Sequence, residues 1–185
     1  MILHRCFPWD ERAAHAAPGG ALWFPRALQG DGRHDAPERY GCVYVAVEPV
    51  AAVVEELARF AGTVLGVSDL RRGGLPLALA EILLAEPALL VDLDSPLVLA
   101  GEGLRPSLVA TATRARTQAD AIALYERRPD AAGIRWPSAF ESQWANVTLF
   151  DRALAALSVA AVRPLRLDDP VVGEAGAFLG LRAAA

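Results

Sequence analysis

The chain has 185 residues, of which 54% are hydrophobic and 22% are charged, and this composition is typical of a globular protein rather than a disordered one. Its formal net charge of −4 argues against a nucleic-acid surface, since a phosphate backbone requires clustered positive charge. All 18 basic residues are arginines. This excludes the lysine of a P-loop, the lysine of a kinase and every Schiff-base mechanism.

The first half of the chain begins with an irregular segment and continues into a strand and a helix. Residues 8–40 are rich in Gly, Pro, Asp and Arg, which predicts loops with short elements. Residues 41–47 form a short apolar run that predicts a buried strand. Pro49 then opens a helix that continues to about residue 60. One face of this helix carries an apolar stripe made of Val50, Val53, Val54 and Leu57.

Strands and helices are mixed in the rest of the chain. The elements predicted there are a strand at 63–67, a helix at 75–86, a strand at 88–93, a helix at 116–127, strands at 133–137 and 145–150, a short helix, a strand near 158–166 and a last helix from about Asp169. They do not alternate as βαβ units. The sequence therefore predicts an α+β fold with a single domain spanning residues 1–185.

Several kinds of site and location are disfavoured. Cys6 and Cys42 form no CxxC pair, which favours free thiols in a reducing cytoplasm. The three histidines are too far apart in sequence for metal-ligand spacing, so we expect no metal site. Asp92 and Asp94 form a DxD pair, which is typical of a polar strand end; the alternative is a metal-bound nucleotide sugar. Neither a signal peptide nor a membrane span is predicted.

Four segments carry polar residues in a distinctive order. In chain order they are Gly30-Asp31-Gly32-Arg33-His34-Asp35; the run Tyr40 to Glu55, which includes Tyr44 and Pro49; Thr117-Gln118-Ala119-Asp120-Ala121; and Gly133-Ile134-Arg135-Trp136-Pro137-Ser138, followed by Asn146-Val147-Thr148-Leu149-Phe150-Asp151. This succession resembles the RES-domain family, which is named for an Arg, a Glu and a Ser. The resemblance covers about residues 20–151.

The resemblance implies a fold, an activity and a partner. The fold is similar to that of ADP-ribosyltransferase toxins. Characterised members degrade NAD by phosphorolysis or hydrolysis and act as toxins held by an antitoxin protein. NAD would be a substrate, inorganic phosphate a co-substrate in the phosphorolytic case, and no prosthetic group is implied. The chain departs from the usual pattern at His34, Ala132 and Trp136, and at Pro137 before the serine.

The resemblance also implies roles for five residues. Glu55, Arg33 and Ser138 are the catalytic candidates. Arg33, Tyr44, Ser138 and Asn146 are the substrate-binding candidates. Cleavage of the nicotinamide–ribose bond builds positive charge on the ribose, so a carboxylate such as Glu55 can stabilise the transition state more than the ground state. Arg33 can grip a phosphate with its planar guanidinium, and the Tyr44 ring can stack on nicotinamide or ribose.

Each of these residues also has an ordinary structural explanation. Glu55 and Arg59 have the spacing of an exposed helix ion pair, Tyr44 lies in an apolar strand, and Gln118 has the position of a helix-capping partner. Aligning Pro49 with the family pattern selects Glu55, whereas a one-residue slip selects Glu56.

The sequence also leaves wider alternatives open. An ADP-ribosyltransferase that modifies a macromolecule and a catalytically silent binding module remain alternatives to NAD cleavage. The choice between phosphate and water as nucleophile, and whether the chain forms a homo-oligomer, are open as well.

Overall fold

A computed structural model describes residues 1–183 and places them in short strands and helices. The strands are β1 (Ile2–Pro8), β2 (Cys42–Ala46), β3 (Val64–Leu65), β4 (Arg71–Arg72), β5 (Leu75–Leu84), β6 (Leu89–Asp92), β7 (Ala131–Pro137), β8 (Ala145–Phe150), β9 (Leu157–Pro164) and β10 (Arg182–Ala183). The helices are α1 (Pro49–Leu57), α2 (Pro96–Glu102), α3 (Pro106–Val109), α4 (Arg114–Arg127) and α5 (Pro170–Leu179). The predicted α+β class is confirmed.

The chain divides into two compact units, and the polypeptide passes several times from one to the other. The first unit contains residues 1–23, 45–83 and the segment from 158 onward. The second unit contains residues 24–44 and 84–157. Strand β2 contributes residues to both units. Of the predicted site residues, Glu55 belongs to the first unit, whereas Arg33, Tyr44, Ser138 and Asn146 belong to the second.

In the first unit, β5 pairs antiparallel with β1 in a register that runs from Ile2 opposite Leu83 to Pro8 opposite Leu77. Strands β4 and β9 also pair with β5. Helix α1 packs against β1 and α5. Its buried residues include Val53, Val54 and Leu57, so the predicted apolar stripe does face the interior. Pro49 stands at the start of the helix, as predicted.

The prediction of a helix over residues 75–86 is wrong, because Leu75–Leu84 forms the long strand β5. Leu and Ala are strong helix formers, and a continuous apolar run does not distinguish a buried strand from a buried helix. Pairing with β1 decides the outcome. Leu77, Ala80 and Ile82 are all fully buried in the resulting sheet.

Strand β1 was not predicted, because His4 and Arg5 interrupt its apolar pattern. Both side chains contact backbone carbonyl groups. His4 Nδ1 lies 3.0 Å from the Val47 oxygen, and Arg5 Nη1 donates to the Ala21 oxygen at 2.6 Å. The short helices α2 and α3 were also missed. A local signal for α2 exists, since the Ser95 hydroxyl caps its first turn and a proline follows at the first helical position.

In the second unit, β7 lies between β6, to which it is parallel, and β8, to which it is antiparallel. Strand β8 has β2 as its other neighbour. Helix α4 covers this sheet, with Ala121 and Leu124 buried. An aromatic group anchors the core, formed by the rings of Tyr40, Tyr125 and Phe150.

The strand predictions at 41–47, 88–93, 133–137 and 145–150 are confirmed to within a few residues. Among residues 1–183, no helix has the length and apolar character that crossing a membrane requires.

Candidate functional site

The loop that carries Arg33 is built around the carboxylate of Asp35. Oxygen Oδ2 of Asp35 accepts hydrogen bonds from the backbone N–H groups of Gly30 at 2.9 Å and Gly32 at 2.7 Å. Burial raises the pKa of Asp35, but the hydrogen bonds from Tyr44, Gly30, Gly32 and the Cys42 thiol outweigh it, and the net pKa is lowered. The carboxylate is therefore held ionised and organises the glycines on the N-terminal side of Arg33.

Tyr44 fixes the same loop from strand β2. Its hydroxyl donates to Asp35 Oδ1 at 2.7 Å and accepts from the His34 N–H at 2.9 Å. Burial, followed by the interactions with Cys42 and Asp35, raises the pKa of Tyr44, so the hydroxyl keeps its proton for Asp35. This role was not anticipated from the sequence, which assigned function to the Tyr44 ring rather than to its hydroxyl.

Helix α4 holds the loop from the other side. The Gln118 Nε2 amide donates to the carbonyl oxygens of Gly30 and Gly32, each at 2.9 Å. The adjacent Thr117 hydroxyl donates to the Arg33 carbonyl at 2.5 Å. The expectation that Gln118 caps its own helix is thus replaced by contacts with a loop more than 80 residues away in sequence.

The guanidinium of Arg33 is itself oriented within the second unit. Its Nη1 donates to the carbonyl oxygens of Val109 at 2.8 Å and Thr111 at 3.0 Å. The Arg33 Cζ atom lies 4.9 Å from the centroid of the Trp136 ring, a cation–π contact. These contacts give the Arg33 guanidinium a defined direction.

The Trp136 ring beneath Arg33 is fixed by a buried polar pair. Trp136 Nε1 donates to the Thr148 hydroxyl oxygen at 3.1 Å, and this oxygen lies 2.8 Å from His34 Nδ1. The His34 ring also meets Trp136 edge-on, with centroids 5.4 Å apart. His34 is only 3% exposed, and burial, followed by the Arg33 charge, lowers its pKa to about 3. At neutral pH the buried His34 imidazole is therefore uncharged.

Ser138 and Asn146 lie close to Trp136 in the sheet. Ser138 follows the end of β7, is 8% exposed, and its hydroxyl oxygen accepts from the Phe140 N–H at 3.2 Å. Asn146 is 3% exposed and stands opposite Trp136 in the β7–β8 register. The second unit therefore gathers Arg33, Tyr44, Ser138 and Asn146 around the β7–β8 pair and the Arg33 loop.

Glu55 and Glu56 differ in their surroundings on α1 in the first unit. Glu55 is exposed. Glu56 has a side chain only 10% exposed, and its Oε1 lies 3.0 Å from Arg72 Nη1 and 3.2 Å from Arg59 Nη2. Arg59 thus pairs with Glu56, whereas the sequence suggested Glu55 as its partner. The pKa of Glu56 is raised, because the effect of burial exceeds the opposing effect of Arg72 and Arg59. A structural ion-pair role therefore accounts for Glu56.

Comparison with protein families decides the classification. The family model of the RES domain matches residues 2–168. The chain belongs to the RES-domain family. The RES match extends beyond the segment of about 20–151 on which the resemblance was based, and the added residues include strands β1 and β9. A comparison with curated proteins finds no match.

A solved structure supports the same fold. A chain in the crystal structure of the M. tuberculosis MbcT–MbcA toxin–antitoxin complex is similar to this RES domain with a TM-score of 0.62. The two chains share 17% identity, and the similarity covers 98% of this chain and 88% of that one. At this identity the similarity establishes the fold alone.

Two of the four departures from the usual RES pattern contact each other in the structure. His34 and Trp136 contact each other and share Thr148, so the histidine and the indole fit together as one unit. Pro137 lies opposite Ala145 at the end of the β7–β8 pairing, directly before the Ser138 turn. Ala132 is buried, which suits a methyl group at this position.

Other polar groups singled out in the sequence have structural partners. Arg135 Nη1 lies 2.9 Å from Asp92 Oδ1 and 3.8 Å from Asp94 Oδ2, so the DxD pair forms ion pairs at the end of β6. Within residues 1–183, no group of three or more His, Cys, Asp or Glu side chains is placed to hold a metal ion. The roles of Asp35, Thr117 and Thr148 were not predicted from the sequence. Only the position of Asp35 two residues after Arg33 offered a local signal.

Proposed function

We propose that the chain is an NAD-degrading enzyme that cleaves the nicotinamide–ribose bond and acts as the toxin of a toxin–antitoxin pair. The observation that carries the proposal is the Arg33 loop, whose backbone is held by Asp35, Tyr44 and Gln118 so that a guanidinium is presented in a fixed direction. A planar guanidinium suits the pyrophosphate of a dinucleotide, because its N–H donors match phosphate oxygens.

The chemistry requires little beyond the residues that the chain provides. The bond from ribose C1′ to the nicotinamide nitrogen breaks, and a bond from C1′ to an oxygen of phosphate or water forms. Nicotinamide departs as a neutral molecule, so no strong general acid is needed. Glu55 is the proposed carboxylate that stabilises the developing ribosyl cation, with Glu56 as the alternative.

The remaining candidates are assigned to substrate binding. Arg33 is proposed to bind the phosphates and to contribute to catalysis. Ser138 is proposed to orient phosphate, ribose or nicotinamide, with Asn146 beside it, and Tyr44 to line the site with its ring. NAD is the proposed substrate and inorganic phosphate the co-substrate in the phosphorolytic case, with neither a prosthetic group nor a metal.

A protein antitoxin is the proposed partner. The RES-family membership and the fold shared with a chain of a toxin–antitoxin complex support this part of the proposal. Such a toxin would act in the cytoplasm, where NAD is abundant. The oligomeric state, including a homo-oligomer, is left open.

The test is NAD turnover by the purified chain, with and without inorganic phosphate, and with the products identified by mass. Phosphorolysis predicts nicotinamide release that depends on phosphate and yields phosphorylated ADP-ribose. Hydrolysis predicts release without phosphate and free ADP-ribose. Arg33→Ala protein prepared in parallel controls for a contaminating activity. If NAD persists under both conditions, the proposal fails. Label transfer from NAD onto a macromolecule would instead favour an ADP-ribosyltransferase.

A further inference from the structure

The carbonyl groups of the Arg33 loop have a dedicated donor on helix α4. The Gln118 Nε2 amide lies 2.9 Å from the oxygens of both Gly30 and Gly32. Two carbonyl oxygens can be paired only by a donor, so the NH2 end of the amide must face them, and each of its hydrogens serves one carbonyl. Gln118 thereby ties two points of the loop to one rigid helix.

We infer that Gln118 is a positioning residue for Arg33, which it places through the carbonyl groups of Gly30 and Gly32; this inference rests on the proposed function. Asp35 holds the N–H groups of the same two glycines. The two peptide segments are thus held on their donor side by Asp35 and on their acceptor side by Gln118. Arg33 follows Gly32 directly, so the position of its Cα atom depends on this double hold.

The loop needs such a hold because of its glycines. A Cβ added at Gly32 would lie 2.5 Å from both Asp35 Oδ1 and the Tyr44 hydroxyl, so a side chain has no room there. Glycine loses more conformational freedom on folding than any other residue. The backbone of Gly30 and Gly32 is therefore ordered by hydrogen bonds to the side chains of Asp35 and Gln118 rather than by side chains at the glycines themselves.

Local structural roles do not account for the Gln118 side chain. It is the fifth residue of α4, and the hydrogen bonds described for its amide lead to residues 86 and 88 positions earlier in sequence rather than to the helix. The preceding residue acts on the same loop, since the Thr117 hydroxyl donates to the Arg33 carbonyl. Two consecutive residues of α4 thus donate hydrogen bonds to this loop: Gln118 to the carbonyl groups before Arg33, and Thr117 to the carbonyl group of Arg33 itself.

Two variants separate hydrogen-bond donation from packing. Gln118→Glu keeps the shape of the side chain but replaces the donor with an acceptor that would face two carbonyl oxygens. Gln118→Ala removes the side chain. Because a misplacement of about 1 Å can cost roughly 100-fold in rate, we expect both variants to lower kcat/KM for NAD by about 10- to 100-fold, with a raised KM. Arg116→Ala is the matched control, because Arg116 lies on the same helix and pairs with Asp120.

If Gln118 acted by packing alone, Gln118→Glu would retain wild-type kinetics, and this result would overturn the inference. A double-mutant cycle with Arg33→Ala adds a second criterion. Since Gln118 is inferred to act through Arg33, Gln118→Glu should cost less than about twofold in the Arg33→Ala background. A loss of the same size in both backgrounds would contradict the inference.

Hydrogen exchange distinguishes failure of the inference from failure of the proposed function. In Gln118→Glu the amide protons of Gly30, Gly32 and His34 should exchange at least about tenfold faster, while those in the middle of α4 keep their protection. If the wild type turns over no NAD but loop exchange still increases in Gln118→Glu, the proposed function is wrong, whereas the inferred role of Gln118 in positioning Arg33 is supported. Unchanged loop exchange would refute the positioning, whatever the activity.

Discussion

The buried imidazole of His34 predicts a loss of stability at acidic pH. Burial and then the Arg33 charge lower its pKa from 6.5 to about 3, with Arg114 acting in the same direction and Asp35 opposing them. Well above both pKa values the imidazole is neutral in the folded and the unfolded state, so it does not change the pH dependence of the free energy of unfolding there. As the pH falls from about 6.5 towards about 3, the unfolded chain takes up a proton that the folded chain does not, and stability is lost.

The expected magnitude follows from these two pKa values. At about pH 5 the unfolded state binds nearly one proton at this position and the folded state almost none. With about 1.4 kcal/mol for each pH unit below the unfolded pKa, the loss between about pH 8 and about pH 5 is about 2 kcal/mol. For a chain of this size, that corresponds to a decrease of about 4–8 °C in Tm.

Urea unfolding of wild type and His34→Phe at both pH values measures this contribution. Phe is the matched replacement because it is an aromatic side chain that does not titrate. Other titrating groups contribute similarly to both proteins, so the difference between them isolates His34. We expect the wild type to lose about 2 kcal/mol more than His34→Phe. Equal losses in the two proteins would refute the explanation of His34 as a buried neutral imidazole.

Two further substitutions test the Arg33 loop. Tyr44→Phe keeps the ring but removes the hydroxyl between Asp35 and the His34 N–H, so we expect a loss of about 2–4 kcal/mol in urea unfolding and a raised Asp35 pKa; an unchanged unfolding midpoint would contradict the assigned hydrogen bonds. Arg33→Ala should raise KM for NAD about 10- to 100-fold in steady-state assays, because a phosphate grip acts in both ground and transition states; a change in kcat alone would argue against that role.

The parts of the fold that could be predicted are those specified by local pattern. The apolar run of β2, the proline that begins α1 and its valine stripe all lie within about 20 residues of sequence, and the structure confirms each. Strand β5 could not be recognised, because its identity depends on pairing with β1, and β1 was itself obscured by His4 and Arg5. Their side chains satisfy backbone carbonyls that are distant in sequence.

The candidate site shows the same limit. The order of motifs predicted that Arg33, Tyr44, Glu55 and Ser138 meet in one site. Arg33, Tyr44 and Ser138 belong to the second unit, together with Asn146, whereas Glu55 belongs to the first. The hydrogen bonds of the Tyr44 hydroxyl and the Gln118 amide could not be predicted, because their partners come close only in the folded chain and no local pattern indicates them. That all predicted side chains, Glu55 included, act on one substrate stays a prediction.

The central claim is most directly tested by kcat for NAD cleavage in the pair Glu55→Gln and Glu56→Gln, each compared with wild type and accompanied by a melting curve. Glu55→Gln removes the charge proposed to face the ribosyl cation, so we expect kcat and kcat/KM to fall together by roughly 100-fold or more with little change in Tm. Glu56→Gln should instead lower Tm and leave kcat near wild type, because Glu56 pairs with Arg59 and Arg72. Undiminished turnover by Glu55→Gln would contradict the account, and loss of turnover only in Glu56→Gln would move the carboxylate by one residue.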